Sequence, residues 1–181
     1  MTEFLALKTS TGSIDANISM LNDVADSQQP PTAASIITNT GANNTRFSLF
    51  AIDTKDEALV PLGGSFLIDT KSDTSGVRIK FDDAPVESTL ALTSKTSTGS
   101  VNVDLHPTYE GTFSLSSSLS HPVVNIKDEV EDPIGEGRKR TVKFVRARGH
   151  VVAGEVTWGD TRADGSRVVL KSDVGTPRLS L

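Results

Sequence analysis

Apolar and polar residues alternate with a period of two along most of this chain. Ile14, Ala16 and Ile18 are separated by Asp15 and Asn17, and Val101, Val103 and Leu105 by Asn102 and Asp104. A period of two puts every second side chain on one face of an extended strand, the signature of a half-buried β-strand. The same order of apolar strand, Ser/Thr/Asn/Asp/Gly turn and second alternating strand recurs in SIITNTGANNTRFSLF, FLIDTKSDTSGVRIKF and FSLSSSLSHPVVNI. It returns in degenerate form in KFVRARGHVVAGEVTW and RVVLKSDVGTPRLSL. No segment keeps an apolar spacing of three and four residues between caps, so little or no helix is expected.

The chain also repeats itself literally. KTSTGSIDANI from Lys8 and KTSTGSVNVDL from Lys95 share six consecutive residues and then the same alternation. Seven strand-turn-strand units can be counted, of roughly 15 to 25 residues each, a period at which stacked repeats become the leading architecture. The expected fold is therefore all-β, a β-solenoid or β-roll-like stack in a single domain over residues 1–181. The first strands would turn Leu5 and Leu7, Phe66 and Ile68, Leu90 and Leu92, Phe113 and Leu115, and Val168 and Leu170 inward. The second would turn in Val77, Ile79 and Phe81, Val124 and Ile126, Val156 and Trp158, and Leu179 and Leu181. Loop insertions are expected at 22–32, where Pro30-Pro31 sits in a polar run, and at 127–140, where KDEVEDPIGEGRKR passes from acidic to basic. Strands at both ends have no capping element, which predicts a homo-oligomer formed through the end strands.

The TSTGSI and TSTGSV turns, each leading into an alternating strand, resemble the adhesin-like family of bacterial β-solenoids. The stretch from Gly64 to Ser118, with the DPIGEGRKR loop from Asp132, is similar to a group of mushroom-type fungal proteins. The resemblance implies a fold and supplies almost no biochemistry, with no defined functional residues to carry over; the function expected is that of a non-catalytic, adhesin-like or self-assembling protein that presents a binding surface.

Composition narrows the chemistry. The chain has 181 residues, a formal charge of -5 and no cysteine, which excludes disulfides, thiolate metal sites and a cysteine nucleophile. A net acidic chain lacks the basic surface of a nucleic-acid groove. No apolar run is long enough to insert in a membrane, and the start of the chain lacks a secretory pattern, so as given it reads as cytoplasmic. Cell-surface or secreted placement would fit a processed fragment. Aromatic content is 5%, which points to a core of Val, Leu, Ile and Ala.

Few residues carry a functional pattern. His106, His121 and His150 have no metal-ligand spacing, and no G-x-S-x-G elbow is present. The DTRADG run from Asp160 fails as a calcium loop, because Arg162 and Lys171 stand where oxygen ligands belong. Carboxylates at Asp82 and Asp83, Asp104 and Glu110, and Asp128, Glu129, Glu131 and Asp132 would suit a glycan-cleaving enzyme only if a fold gathered them in one cleft. No catalytic residue, metal or cofactor is assigned. The aromatic side chains with a polar handle, Trp158 and Tyr109, together with Asp160, are the candidate contacts for a glycan, in the manner of a lectin. The threonines of Thr9-Ser10-Thr11, Thr38-Asn39-Thr40 and Thr96-Ser97-Thr98 either form a polymer-ordering surface or simply suit turn-flanking positions.

Overall fold

A computed structural model describes residues 4–25, 29–55, 58–127, 130–159 and 165–181. Over these residues the protein is all-β and contains no helix. The strands are β1 (Phe4–Thr9), β2 (Ile14–Asp23), β3 (Thr32–Thr38), β4 (Asn43–Asp53), β5 (Ala58–Val60), β6 (Ser65–Ser72), β7 (Val77–Asp83) and β8 (Thr89–Thr96). They continue with β9 (Val101–Asp104), β10 (Gly111–Ser117), β11 (Val123–Asn125), β12 (Arg140–Arg148), β13 (Val151–Trp158), β14 (Arg167–Ser172) and β15 (Pro177–Ser180).

Two sheets result. One has the order β1-β3-β6-β8-β14-β10-β13-β12, the other β11-β15-β9-β7-β4-β2, with β5 added antiparallel to β4. Six strand-turn-strand units place one strand in each sheet and pair in parallel with their neighbours: β1-β2, β3-β4, β6-β7, β8-β9, β14-β15 and β10-β11.

This is not the sequential solenoid that the repeats predict. The last unit of the chain, β14-β15, is inserted between β8-β9 and β10-β11, so spatial order departs from chain order. The expected sixth unit, KFVRARGHVVAGEVTW, is instead a hairpin: β12 and β13 pair antiparallel within one sheet, and β13 pairs antiparallel with β10. A Gly149-His150 turn joins them, and Gly149 adopts a positive φ of 56°, a conformation glycine reaches at no steric cost.

The inner faces of both sheets share one core, to which Ile36, Ile68, Leu92, Leu115 and Leu170 contribute from the first sheet and Phe47, Ile79, Val103 and Leu179 from the second. Most expected inward residues are buried, but Leu5 is 38% exposed and Ile126 45% exposed. Leu5 lies on the edge strand β1 and Ile126 just beyond the edge strand β11, so each lacks a neighbour on one side.

The Ser/Thr-rich turns tie neighbouring parallel strands together. Thr9, Thr38, Ser72, Thr96, Ser172 and Ser117 align as one column across six parallel strands. Three of these hydroxyls reach well across to the turn of the adjacent unit: Thr96 Oγ1 donates to Ser75 O (2.8 Å), Ser172 Oγ to Gly99 O (2.8 Å) and Ser117 Oγ to Gly175 O (3.1 Å), whereas Thr9 Oγ1 donates within its own turn and Thr38 Oγ1 has no partner among the described residues. A hydroxyl side chain at this position satisfies a neighbour's carbonyl that would otherwise be orphaned. Thr38 and Thr96 are buried, so these two threonines form no exposed surface. The following glycines are close-packed: a Cβ on Gly99 would meet the Ser75 backbone and one on Gly175 the Gly99 carbonyl.

Candidate functional site

Two of the residues singled out in the sequence, Trp158 and Tyr109, are tied to the segment between β9 and β10. Trp158 ends β13, and its backbone N–H donates to Glu110 Oε1 at 2.7 Å while its indole Nε1–H donates to Pro107 O at 3.1 Å. The Arg138 guanidinium carbon lies 5.8 Å from the centre of the Trp158 ring. Tyr109 donates its hydroxyl to Thr112 O at 2.6 Å, and its backbone N–H donates to His106 O at 3.0 Å. Trp158 is 1% exposed and Tyr109 6% exposed. A ring shielded to that degree offers no face for a sugar to stack on, so both aromatics act as struts. Burial pushes the Tyr109 phenol far above its ordinary range. Asp160, the third candidate, lies outside the described residues.

What the struts hold is a groove. Trp158 pins Pro107, in the turn after β9. The 132–138 segment is organised around Asp132, which accepts the backbone N–H groups of Ile134 (3.2 Å), Glu136 (3.0 Å) and Arg138 (3.0 Å). Asp132 also accepts the Arg138 guanidinium at 2.9 Å. That guanidinium, with the backbone N–H groups of Arg138 and Ile134, holds the Asp132 carboxyl at about 2. The loop insertion expected at 127–140 is therefore, around Asp132, a built turn.

Between these segments, β4, β5 and the Asp83–Val86 turn lies a cavity of ≈ 440 Å³. Its walls are mostly apolar, from Leu49, Leu59, Pro61, Pro85, Val86 and Pro133, with His106, Asp83 and Glu131 as the polar groups. Size and lining fit a small-molecule or peptide-side-chain pocket. His106 Nδ1 accepts the backbone N–H of Thr108 at 3.3 Å and lies 2.9 Å from Thr108 Oγ1. In the neutral ring this leaves the proton on Nε2. Burial pushes its pKa below the ordinary histidine value, against the pull of Asp83 and aided by Lys127, so the neutral imidazole prevails at pH 7. Asp83 accepts the Ser48 hydroxyl at 2.8 Å. The groove thus offers an apolar surface with one neutral imidazole and two carboxylates.

Two features lie outside what spacing along the chain reveals. His121 and His150, 29 residues apart in sequence, bring their ring centres to 5.1 Å, and His150 Nδ1 donates to Ser120 O at 2.8 Å. Among the described residues, no group of three or more His, Asp or Glu side chains could hold a metal ion. The carboxylates weighed for glycan cleavage also have partners: Asp82 binds Arg46 (2.7 Å) and Lys80 (2.9 Å), Asp104 binds Lys127 (2.9 Å), and Glu110 receives Trp158 N–H. Asp128 and Glu129 lie outside the described residues.

No family model matches the chain, and no curated protein and no solved structure matches it. Function must therefore be argued from these surfaces alone.

The sheet ends are the other candidate. β1 and β2 form the free edges at one end of the two sheets, among the described residues. Phe4 is 64% exposed and Leu21 40% exposed there, beside Leu5. The opposite end differs. β12 carries Arg140, Lys143, Arg146 and Arg148 and has a register shift between Phe144 and Arg146, while β11 is only three residues long. Charges, a bulge and a short strand are the devices that keep an edge from pairing.

Proposed function

We propose that the protein is a non-catalytic, adhesin-like display protein that associates with a second copy of itself through β1 and β2. The observation that carries this reading is the asymmetry of the two ends: both expose apolar side chains, Phe4 and Leu21 at one and Phe144 and Val145 at the other, but only the second is blunted, by the cations and bulge of β12 and the three-residue length of β11. Head-to-tail growth needs two open ends and would give a fibre. One open end supports an isologous pairing that closes as a two-fold dimer. Antiparallel pairing of β1 with its copy about Ala6 sets Leu5 opposite Leu7 and Phe4 opposite Lys8. Pairing of β2 about Ile18 sets Ala16 opposite Met20 and Asp15 opposite Leu21. Neither register opposes like charges, which favours the pairing.

A carbohydrate-binding role would need an open aromatic face beside polar groups, and buried Trp158 and Tyr109 do not supply one. The neutral His106 groove remains available as a binding surface in either oligomeric state.

Light scattering coupled to size exclusion, run over a concentration series, tests the proposal. The expected result is a dimer in the wild type and a folded monomer in the Leu5→Lys, Leu21→Lys double variant. A wild-type protein that stays monomeric at the highest concentrations rules the pairing out, and an open-ended distribution of sizes rules out closure at two.

A further inference from the structure

Arg140, the first residue of β12, breaks the rule that buried charges are paired. Its Nε, Nη1 and Nη2 are all shielded from solvent, and none has a hydrogen-bond partner among the described residues. An ionised group taken out of water without a partner is costly enough that proteins rarely tolerate it without a purpose or a missing ligand. Burial alone already pulls this guanidinium below its ordinary pKa.

The surroundings are cationic. Arg140 lines a groove of ≈ 480 Å³ together with Lys127, Arg138 and Lys139, and with the apolar Ile126, Val130 and Val142. Two of those cations are already matched, Lys127 by Asp104 at 2.9 Å and Arg138 by Asp132 at 2.9 Å. No carboxylate is among the described residues that line the groove. In a chain with a formal charge of -5, this is a local excess of positive charge around a planar, two-pronged donor.

We propose that this groove is an oxyanion site into which the Arg140 guanidinium, shielded from water in its resting rotamer, turns to bind a phosphate or sulfate group through parallel N–H donors, with Lys139 as the supporting charge. Guanidinium presents its donors in a fixed fork that matches two oxygens of a tetrahedral oxyanion or a carboxylate. The apolar residues beside it would seat the organic part of a phosphorylated or sulfated molecule. The site is separate from the His106 groove and from the β1 and β2 edges, so it stands or falls independently of dimer formation.

Asp128 and Glu129, next to Lys127 in the chain, lie outside the described residues and are the rival source of negative charge. Thermal unfolding titrated with inorganic phosphate, sulfate and, at matched ionic strength, sodium chloride separates the cases. At phosphate about tenfold above its dissociation constant, the wild-type midpoint should rise saturably by about 3–6 °C, with chloride giving no saturable rise. Arg140→Gln should lose the response, and Arg140→Lys, which keeps the charge and loses the fork, should retain only part of it. Lys143→Ala, an exposed cation on the same strand, should behave as wild type. Without phosphate, Arg140→Gln should unfold at or above the wild-type midpoint, because an unmatched charge has been removed.

Equal responses of wild type and Arg140→Gln would reduce the effect to general screening and overturn the proposal. So would the absence of any saturable response in the wild type. An Arg140→Gln midpoint well below wild type, matched by the Asp128→Asn, Glu129→Gln double variant, would assign the guanidinium to the chain's own carboxylates instead. A response to phosphate and not to sulfate would point to a phosphorylated ligand, and the reverse to a sulfated one, each sustaining the site.

Discussion

The position of the C-terminal unit gives a sharp test of the fold. In a sequential stack the last unit is an end, and removing it frays one face. Here β14 hydrogen-bonds to both β8 and β10, and β15 to both β9 and β11. Deleting residues 166–181 removes Val168, Leu170, Leu179 and Leu181, all 1% exposed or less. Fully burying an aliphatic side chain is worth about 1.5–3 kcal/mol, so the loss is about 6–12 kcal/mol before any backbone pairing is counted. That is comparable to the about 5–15 kcal/mol that holds an ordinary domain together. The truncated chain should show no cooperative transition by far-UV circular dichroism, and its β6, β8 and β10 amides should exchange rapidly with deuterium. A milder version compares two leucines in one column of the first sheet. Leu170→Ala, at an interior strand, should cost about 3–5 kcal/mol, and Leu7→Ala, at the edge, about 1 kcal/mol or less. A truncated protein that melts within a few degrees of wild type, with protection lost only next to the deletion, would refute the inserted position of β14-β15.

Other tests address the turns and the aromatic struts. Gly99→Ala should destabilise by several degrees in differential scanning calorimetry, because the new Cβ meets Ser75 backbone atoms that have no room to move; Gly135→Ala, in an open loop, meets no neighbour and pays only for its positive φ of 73°. Tyr109 is the only tyrosine, so tyrosinate absorbance reports on it alone. Its folded pKa is raised, so its contribution to stability is intact below the unfolded value of about 10 and is lost as pH climbs above it. Tyrosinate should therefore appear only with unfolding, and Tyr109→Phe should lose less stability than wild type between neutral and strongly alkaline pH; tyrosinate forming near pH 10 in the folded protein would contradict the burial.

How far the sequence carries depends on the range of the interaction. Strand faces are set locally, by side chains two residues apart, and the alternation at Val77, Ile79 and Phe81 or at Val101 and Val103 is legible for that reason. So are the T-S-T-G turns, where a Ser or Thr, a glycine and the next strand follow at fixed distances. Partner choice between strands is not local. β8 accepts β14 from 71 residues further along, because the Thr96 and Ser172 columns fit as well as those of adjacent units. Nothing in KSDVGTPRLSL distinguishes an end unit from an inserted one. The hairpin β12-β13 deceived the repeat pattern for a related reason: its apolar residues alternate like the others, and only the Gly149-His150 turn in place of a T-S-T-G turn marks a reversal within one sheet.

The candidate sites show the same division more sharply. Trp158 and Tyr109 are noticeable in a chain with few aromatics, and they do lie beside a groove, yet what a polar-handled aromatic does depends on which side of the fold its ring falls. The indole N–H and the phenol O–H each find a backbone carbonyl, at Pro107 and Thr112. Those bonds remove the polar reason for the rings to stay at the surface, and burial of their apolar bodies decides the rest. Arg140 is the opposite case. In KDEVEDPIGEGRKR it reads as one more solvated charge beside acidic neighbours, because sequence proximity suggests pairing with the Asp and Glu before it. Folding gives Asp132 to Arg138 instead, in a turn whose backbone donors hold that carboxylate in place, and leaves the Arg140 guanidinium, at the start of β12, with no hydrogen-bond partner among the described residues. The charge proposed to bind an oxyanion is thus marked by a mismatch between what the sequence offers as a counter-ion and what the turn around Asp132 consumes.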